Sequence, residues 1–234
     1  MCNLYANTMP SDAMRHLFDV DASNDRLGNA EPLPAIFPKG DSPIVTVSDG
    51  GLRRLERAHW GFVLPQVSKR TGEPIQPKAV NNARDDKLRR SPFWRTSFER
   101  RRCLLPATSF CEAQGRNPAI YHWFGLQGDE ARPPFAFAGV WARFEGDYGK
   151  ERRTLTTSSM VTTTPNELVR QVHPDRMPVI LAPGDYETWL AGTPDEAFAL
   201  LAPFPSERMT VFRKGEGLKA DGAGFGGAAD SEIR

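Results

Sequence analysis

Apolar positions along the chain come in short bursts cut by proline and glycine, rather than in long runs with a 3.6-residue period, which predicts a strand-rich protein with a few short helices. Pro43-Ile44-Val45-Thr46-Val47 is β-branched and bounded by Pro and Gly, and Arg57 to Leu64, carrying Trp60-Gly61-Phe62, has the make-up of a second strand. Cys103-Leu104-Leu105-Pro106 shows the unbroken apolar pattern of a buried strand. Ser109 to Ala113, Ala119 to Phe124, Phe135 to Phe144 and Thr154 to Thr162 are rich in Thr, Val or aromatics, with the turn-prone Gly125-Leu126-Gln127-Gly128 and Gly146-Asp147 between them. Their spacing predicts a largely antiparallel sheet.

Helical signals are shorter. Ser11-Asp12 can cap a helix through Phe18, and Phe93 to Glu99 reads as a helical turn. Thr164-Pro165-Asn166-Glu167 offers a cap, a Pro at the first helical position and an acid in the first turn, so a helix is expected to about Val172. Met177 to Leu181 returns as a strand. Pro183 to Leu190 and Pro194 to Leu201 are expected to be helices, each opened by Pro with acids nearby, before a last strand at Met209 to Phe212. The fold class is α+β. From Gly215 onward the chain is rich in Gly, Ala and charge without apolar periodicity, so residues 213–234 are expected to form a disordered tail behind one domain spanning 2–212.

Composition narrows the function classes. The 234 residues are 39% hydrophobic and 25% charged, as in ordinary globular chains. With 30 Lys plus Arg against 29 Asp plus Glu, the net charge of +1 excludes a globally basic nucleic-acid coat, so any nucleic-acid binding must use a local patch. No basic segment followed by an apolar stretch opens the chain, and no run approaches the about 18 apolar residues of a membrane span. Cys2, Cys103 and Cys111 cannot all pair and lack zinc spacing. The expectation is a cytoplasmic, disulfide-free monomer with no membrane contact, no metal and no organic cofactor.

Cys2 is the most unusual position. Removal of the initiator Met1 would leave a 1,2-aminothiol whose amine, of ordinary pKa about 7.7 to 8.0, and thiol, about 8.5, are both available near neutral pH. An aldehyde is its natural electrophile: the amine forms an imine and the thiol closes on it to give a thiazolidine. An incidental cysteine is the alternative. Glu112 is an acid inside the otherwise apolar Ser109-Phe110-Cys111-Glu112, where a carboxyl either has a raised pKa for acid/base work or pairs with arginine. His173 stands at a helix-to-strand junction, as a cleft residue or a surface cap. Asn82 and Arg84, two apart on an extended segment, share a side and offer an amide and a phosphate-gripping fork. Arg84 to Arg102 holds eight basic residues against three acids, interleaved with Phe93, Trp94 and Phe98 and with Trp60 nearby in sequence. Such a pattern suits single-stranded nucleic acid, and equally a solvated face over core aromatics.

Six segments in order carry a resemblance: Met1-Cys2-Asn3, Trp60-Gly61, Asn82-Ala83-Arg84, Arg102-Cys103-Leu104-Leu105-Pro106 leading to Ser109-Phe110-Cys111-Glu112, Ala138-Gly139-Val140-Trp141, and His173 to Leu181. Over about residues 2 to 212 the chain resembles the SRAP family of SOS-response-associated peptidase-like, or abasic-site-processing, proteins. The resemblance implies a single domain with a strand-rich, barrel-like mixed-sheet core and flanking helices. It implies a DNA-damage protein that binds abasic sites in single-stranded DNA at the nucleoid, with replication-fork proteins as candidate partners, and cross-links to them through Cys2. Asn82 would position the cysteine and the sugar, Glu112 would move protons, and His173 would serve the opened sugar. Arg84 and Arg176 would hold flanking phosphates, while Trp60 and the Pro38-Lys39-Gly40 loop would shape the strand's path.

Several positions depart from the family pattern. Leu4 stands where many members carry a DNA-contacting arginine, Asp85-Asp86 replace an acid and a threonine, Cys111 and Ala113 flank the glutamate instead of an aromatic, and Pro174-Asp175 lengthen the usual His-x-Arg-Met-Pro by one. Two other classes stay open at this level: a cysteine peptidase or autoprotease using Cys2, and a noncatalytic single-stranded DNA-binding module. Strand incision by a lyase step is open as well.

Overall fold

The computed structural model describes residues 2–129 and 132–222. In chain order its elements are β1 (Tyr5–Asn7), α1 (Ser11–Leu17), β2 (Leu33–Ile36), β3 (Asp41–Val47), β4 (Arg53–Trp60), β5 (Phe62–Val67), β6 (Pro74–Val80), β7 (Asn82–Arg84), α2 (Asp85–Leu88) and α3 (Pro92–Arg100). Then follow β8 (Arg102–Ala107), β9 (Ser109–Gln114), β10 (Ile120–Leu126), β11 (Phe135–Tyr148), β12 (Glu151–Thr163), α4 (Glu167–Arg170), β13 (Met177–Pro178), β14 (Ile180–Leu181), α5 (Tyr186–Ala191), α6 (Pro194–Ala199) and β15 (Met209–Glu216).

Strands β12, β4, β3, β8 and β11 lie side by side, and β11 pairs back onto β12, so the five close into a barrel. All these pairings are antiparallel except β12 with β4, where Thr157 faces His59 and Ser158 faces Trp60. A second sheet runs β15-β10-β9-β1-β2 against the barrel, and β5 with β6 forms a separate hairpin. The α+β class and the barrel-like core with flanking helices are therefore present as expected. No helix among the described residues is long and apolar enough to cross a membrane.

The core follows the two-residue period of the strands. Tyr5 and Phe110 turn inward with Cys2, Trp60, Phe124 and Phe137, whereas Leu4, Ala6, Cys111 and Trp123 turn to the outer face. Tyr5 meets Trp60 edge-on at 4.8 Å and Phe110 stacks on Phe124 at 5.0 Å. Edge-on and offset-stacked pairs of this kind add about 0.5 to 1.5 kcal/mol beyond the area they bury.

Local departures from the expected elements have physical causes. The strand expected over Arg57 to Leu64 breaks at Gly61, whose φ of +126° sends β5 off into the hairpin and whose missing Cβ would lie 2.5 Å from Ala79 Cβ. The helix expected to Val172 is the single turn α4, capped by Asn166, whose side-chain oxygen accepts from Val169 N–H at 2.9 Å. Met177 to Leu181 divides between two neighbours, β13 on β12 and β14 on β11, because Val179 between them is shared: its N–H donates to Val161 O and its carbonyl accepts from Ala138 N–H, both at 2.9 Å.

The last strand runs past Phe212, the end expected for it. β15 runs to Glu216, and the following segment stays attached through Asp221, which is buried, accepts from Ser109 Oγ at 2.6 Å and donates its N–H to Pro34 O at 2.7 Å. The rest of the expected tail, 223–234, lies outside the described residues.

Candidate active site

Three of the expected residues, Asn82, Glu112 and His173, lie around the fourth, Cys2. The strand β7 pairs in parallel with β12, Asn82 opposite Met160 and Arg84 opposite Thr162, and this brings the Asn81-Asn82 amides to the start of the chain. Asn82 Nδ2 donates to the Cys2 carbonyl at 2.8 Å, and Asn81 Nδ2 donates to the same carbonyl at 3.1 Å and to Asn3 Oδ1 at 3.1 Å. Two amides therefore fix the backbone of Cys2, while its thiol is buried and directed to Leu4 O at 3.4 Å. Asn82 Oδ1 is buried without a hydrogen-bond partner among the described residues, leaving one acceptor open toward this site. Asn81 was not singled out by sequence reasoning; its adjacency to Asn82 was the only available sign.

Glu112 comes from β9. The strand period sets it on the Phe110 face, with Cys2, and sets Cys111 on the opposite face. Burial raises its carboxyl to about 7, against a weaker opposite pull from the positive amino terminus. Burial also pushes the Cys2 thiol well above its ordinary range, and the nearby Glu112 charge pushes it further. The resting thiol is therefore neutral, and needs a base to become a nucleophile. Cys103 and Cys111 are buried free thiols too; burial takes Cys111 to about 12, so neither competes as a nucleophile.

His173 follows α4, which is tied to β9 by Gln114 Nε2 donating to Gln171 O at 3.1 Å. Pro174-Asp175, one residue longer than the usual spacing, form a turn closed by Arg176 N–H, which donates to His173 Nδ1 at 3.2 Å. That bond assigns the neutral tautomer with its proton on Nε2. Burial, then the positive amino terminus, lowers the His173 pKa, so the ring is neutral at neutral pH.

The expected DNA-facing residues are placed less uniformly. Arg84 and Arg176 lie together on the β7–β12 edge; Arg84 is ion-paired with Asp86, and Arg176 with both Asp85 and Asp86. Trp60 has no exposed surface, so it cannot stack on a base; its backbone instead clamps the Pro38-Lys39-Gly40 loop, with Lys39 N–H to Trp60 O at 2.9 Å and Trp60 N–H to Gly40 O at 2.8 Å. The loop presents exposed Lys39 beside Phe37, which is 45% exposed, an aromatic that the sequence reading passed over. Within the Arg84 to Arg102 run, Trp94 and Phe98 are core and only Phe93 is exposed. Arg102 is buried and spends its guanidinium on the carbonyls of Phe98, Trp189 and Gly192. Leu4 packs in the outer cluster with Trp123, on the face away from Cys2.

The family model described as SOS response associated peptidase (SRAP) matches residues 1–215. Among curated proteins, the chain is 28% identical over 225 residues to abasic site processing protein YoaM of Bacillus subtilis, covering 91% of this chain and 90% of that one. It is 29% identical over 216 residues to abasic site processing protein YoqW of Bacillus phage SPbeta, covering 91% and 92%. Among solved structures, a Bordetella bronchiseptica protein superimposes with a TM-score of 0.70 at 22% identity over 92% of this chain and 99% of that one. A Bacteroides thetaiotaomicron protein does so with a TM-score of 0.67 at 22% identity, over 92% and 91%.

Proposed function

The chain belongs to the SRAP family, and from that premise we propose that it processes abasic sites in single-stranded DNA by capturing the ring-opened sugar aldehyde on Cys2 as a thiazolidine. The observation that carries this reading is the pairing of two amides on the Cys2 carbonyl, at 2.8 and 3.1 Å, with a buried carboxyl of pKa about 7 beside the thiol. The names of its relatives, abasic site processing proteins, point to the same substrate.

Removal of Met1 frees the α-amine. Its nitrogen adds to the aldehyde carbon, and the resulting carbinolamine accepts a proton from Glu112 and loses water, leaving a protonated imine. Glu112, now a carboxylate, takes the thiol proton as sulfur adds to the iminium carbon, and the ring nitrogen keeps the proton it already carries. One C–N and one C–S bond form, and the aldehyde oxygen leaves as water. Asn82 holds the reacting backbone and offers its open Oδ1 to a donor on the amine or the sugar. His173, neutral with its proton on Nε2, can donate to the oxygen of the opened sugar and take the proton back. Arg84 and Arg176 hold the flanking phosphates, with the Lys39 loop along the strand's path.

Intact mass after incubation with an oligonucleotide carrying one abasic site tests the reading. The expected product is a heat-stable adduct on protein lacking Met1, absent with undamaged DNA and with Cys2→Ala. An adduct of equal yield on Cys2→Ala, or none on wild-type protein whose Met1 is gone, refutes it.

A further inference from the structure

Two arginines offered to DNA are occupied by the protein's own carboxylates. Asp86 bridges them: Arg84 grips it through Nε at 2.9 Å and Nη2 at 3.1 Å, and Arg176 Nη2 reaches the same carboxylate at 2.8 Å. Asp85 holds the other edge of Arg176, Nη1 to Oδ1 at 2.5 Å, and is itself anchored by Thr163 Oγ1 at 2.7 Å. A carboxylate gripped by the Nε–Nη2 edge of one guanidinium and shared with a second stands in the geometry of a backbone phosphate between two arginines. The two aspartates differ in exposure: the Asp85 side chain is 20% exposed beside an Arg176 that is 13% exposed, whereas Asp86 and Arg84 are 44% and 52% exposed. Asp85 is built in, and Asp86 is the one that an incoming strand can displace.

Resting on the reading of Arg84 and Arg176 as phosphate contacts, we propose that Asp86 is a built-in phosphate competitor that weakens noncovalent binding of single-stranded DNA and leaves discrimination for the lesion to the Cys2 reaction. A strand that docks must exchange the Asp86 carboxylate for a phosphate, so this pair of cations yields less net charge neutralisation than two open arginines. An undamaged strand then leaves readily, while a strand with an aldehyde is retained by the covalent bond.

Asp86→Asn tests this with undamaged oligonucleotide, anisotropy and a salt series. Uncovering one net cation steepens the log affinity against log salt slope by about 0.7 for a single strand, which is about eightfold tighter binding at 0.05 M salt than wild type when the two proteins converge at 1 M. Two controls separate this from net charge and from misfolding. Glu145→Gln makes the same charge change at the Arg152–Glu145 surface pair, 3.1 Å, on the β11–β12 hairpin far along β12 from Arg84, and is expected to leave binding at the wild-type level. Asp86→Glu keeps the carboxylate and is expected to keep wild-type affinity. Undamaged competitor should also suppress cross-linking more strongly in Asp86→Asn. Unchanged or weaker binding by Asp86→Asn, or an equal gain in Glu145→Gln, overturns the proposal. Tighter Asp86→Asn binding in a protein that never cross-links removes the thiazolidine reading and leaves the phosphate competition standing.

Discussion

Glu112→Gln separates what the buried carboxyl costs the fold from what it does for chemistry. Glu112 is 4% exposed, and burial raises its pKa from 4.5 to about 7. Between those values the folded chain keeps a proton that the unfolded chain loses, so stability is full below about pH 4.5, falls as pH rises through the window, and levels off above about 7. At about 1.4 kcal/mol per pH unit the total loss is about 3 kcal/mol. Glutamine keeps the shape and cannot ionise, so the variant lacks this loss, and every other titrating group cancels in the difference between the two proteins.

Urea unfolding of both proteins at pH 5, 6, 7 and 8 measures it. The stability of Glu112→Gln relative to wild type should grow by about 2 to 3 kcal/mol from pH 5 to pH 8, a midpoint difference of a little under about 1 M at an m-value of about 3 kcal/mol/M. Over the same range the variant should cross-link about 100-fold or more slowly, the usual effect of losing a positioned proton-transfer group. Parallel stability curves would show that Glu112 titrates near 4.5 and would remove the basis for its role as the acid and base of the proposed reaction.

Three further outcomes follow from single contacts. Asn82→Ala deletes the 2.8 Å bond to the Cys2 carbonyl and should lower the cross-linking rate about five- to tenfold, from a lost charge-free hydrogen bond of about 1 to 1.5 kcal/mol, with thermal unfolding lowered by only a few degrees. Gly61→Ala combines a φ of +126° with a Cβ 2.5 Å from Ala79 Cβ and should destabilise by about 2 to 4 kcal/mol, read from urea midpoints. Asp221→Ala strips the buried carboxylate from Ser109 and Arg132 and should cost about 2 to 4 kcal/mol; unchanged thermal unfolding would mean that the segment after β15 adds nothing to the domain.

Much of the barrel was legible because its strands carry β-branched and aromatic residues between clear turn signals, as in β3, β8 and β12. What escaped has no local period. β2 is Leu33-Pro34-Ala35-Ile36 and β6 holds Pro74 and Pro77, sequences that read as loops until a partner strand supplies the hydrogen bonds. β7 is three residues long and exists through its parallel register with β12, nearly eighty positions away. The site shows the same division. Cys2, Asn82, Glu112 and His173 could be named by residue type, because an aminothiol, an amide, a buried acid and a junction histidine each announce a chemistry. Whether Trp60 faces DNA or the core is decided by contacts far along the chain that no window of sequence contains, whereas Arg84 is paired by Asp86 two residues on, and only Arg176 reaches the same aspartates from some ninety positions away.

The perturbed groups around Cys2 fit two opposite demands that the proposed reaction makes in succession. Loss of water from the carbinolamine needs an acid, and attack by a thiol whose own proton is held tightly by burial needs a base. A carboxyl at its ordinary 4.5 would be almost entirely ionised at neutral pH and would fail the first step, whereas one far above 7 would stay protonated and fail the second. With a pKa of about 7 both forms are abundant at once, and the proton given up in the first step leaves the base required for the next. The neutral resting thiol fits the same sequence. A buried thiolate would react with any passing electrophile, whereas in the proposed reaction this thiol gains its nucleophilicity only after the amine has taken the aldehyde and Glu112 has lost its proton to the departing water.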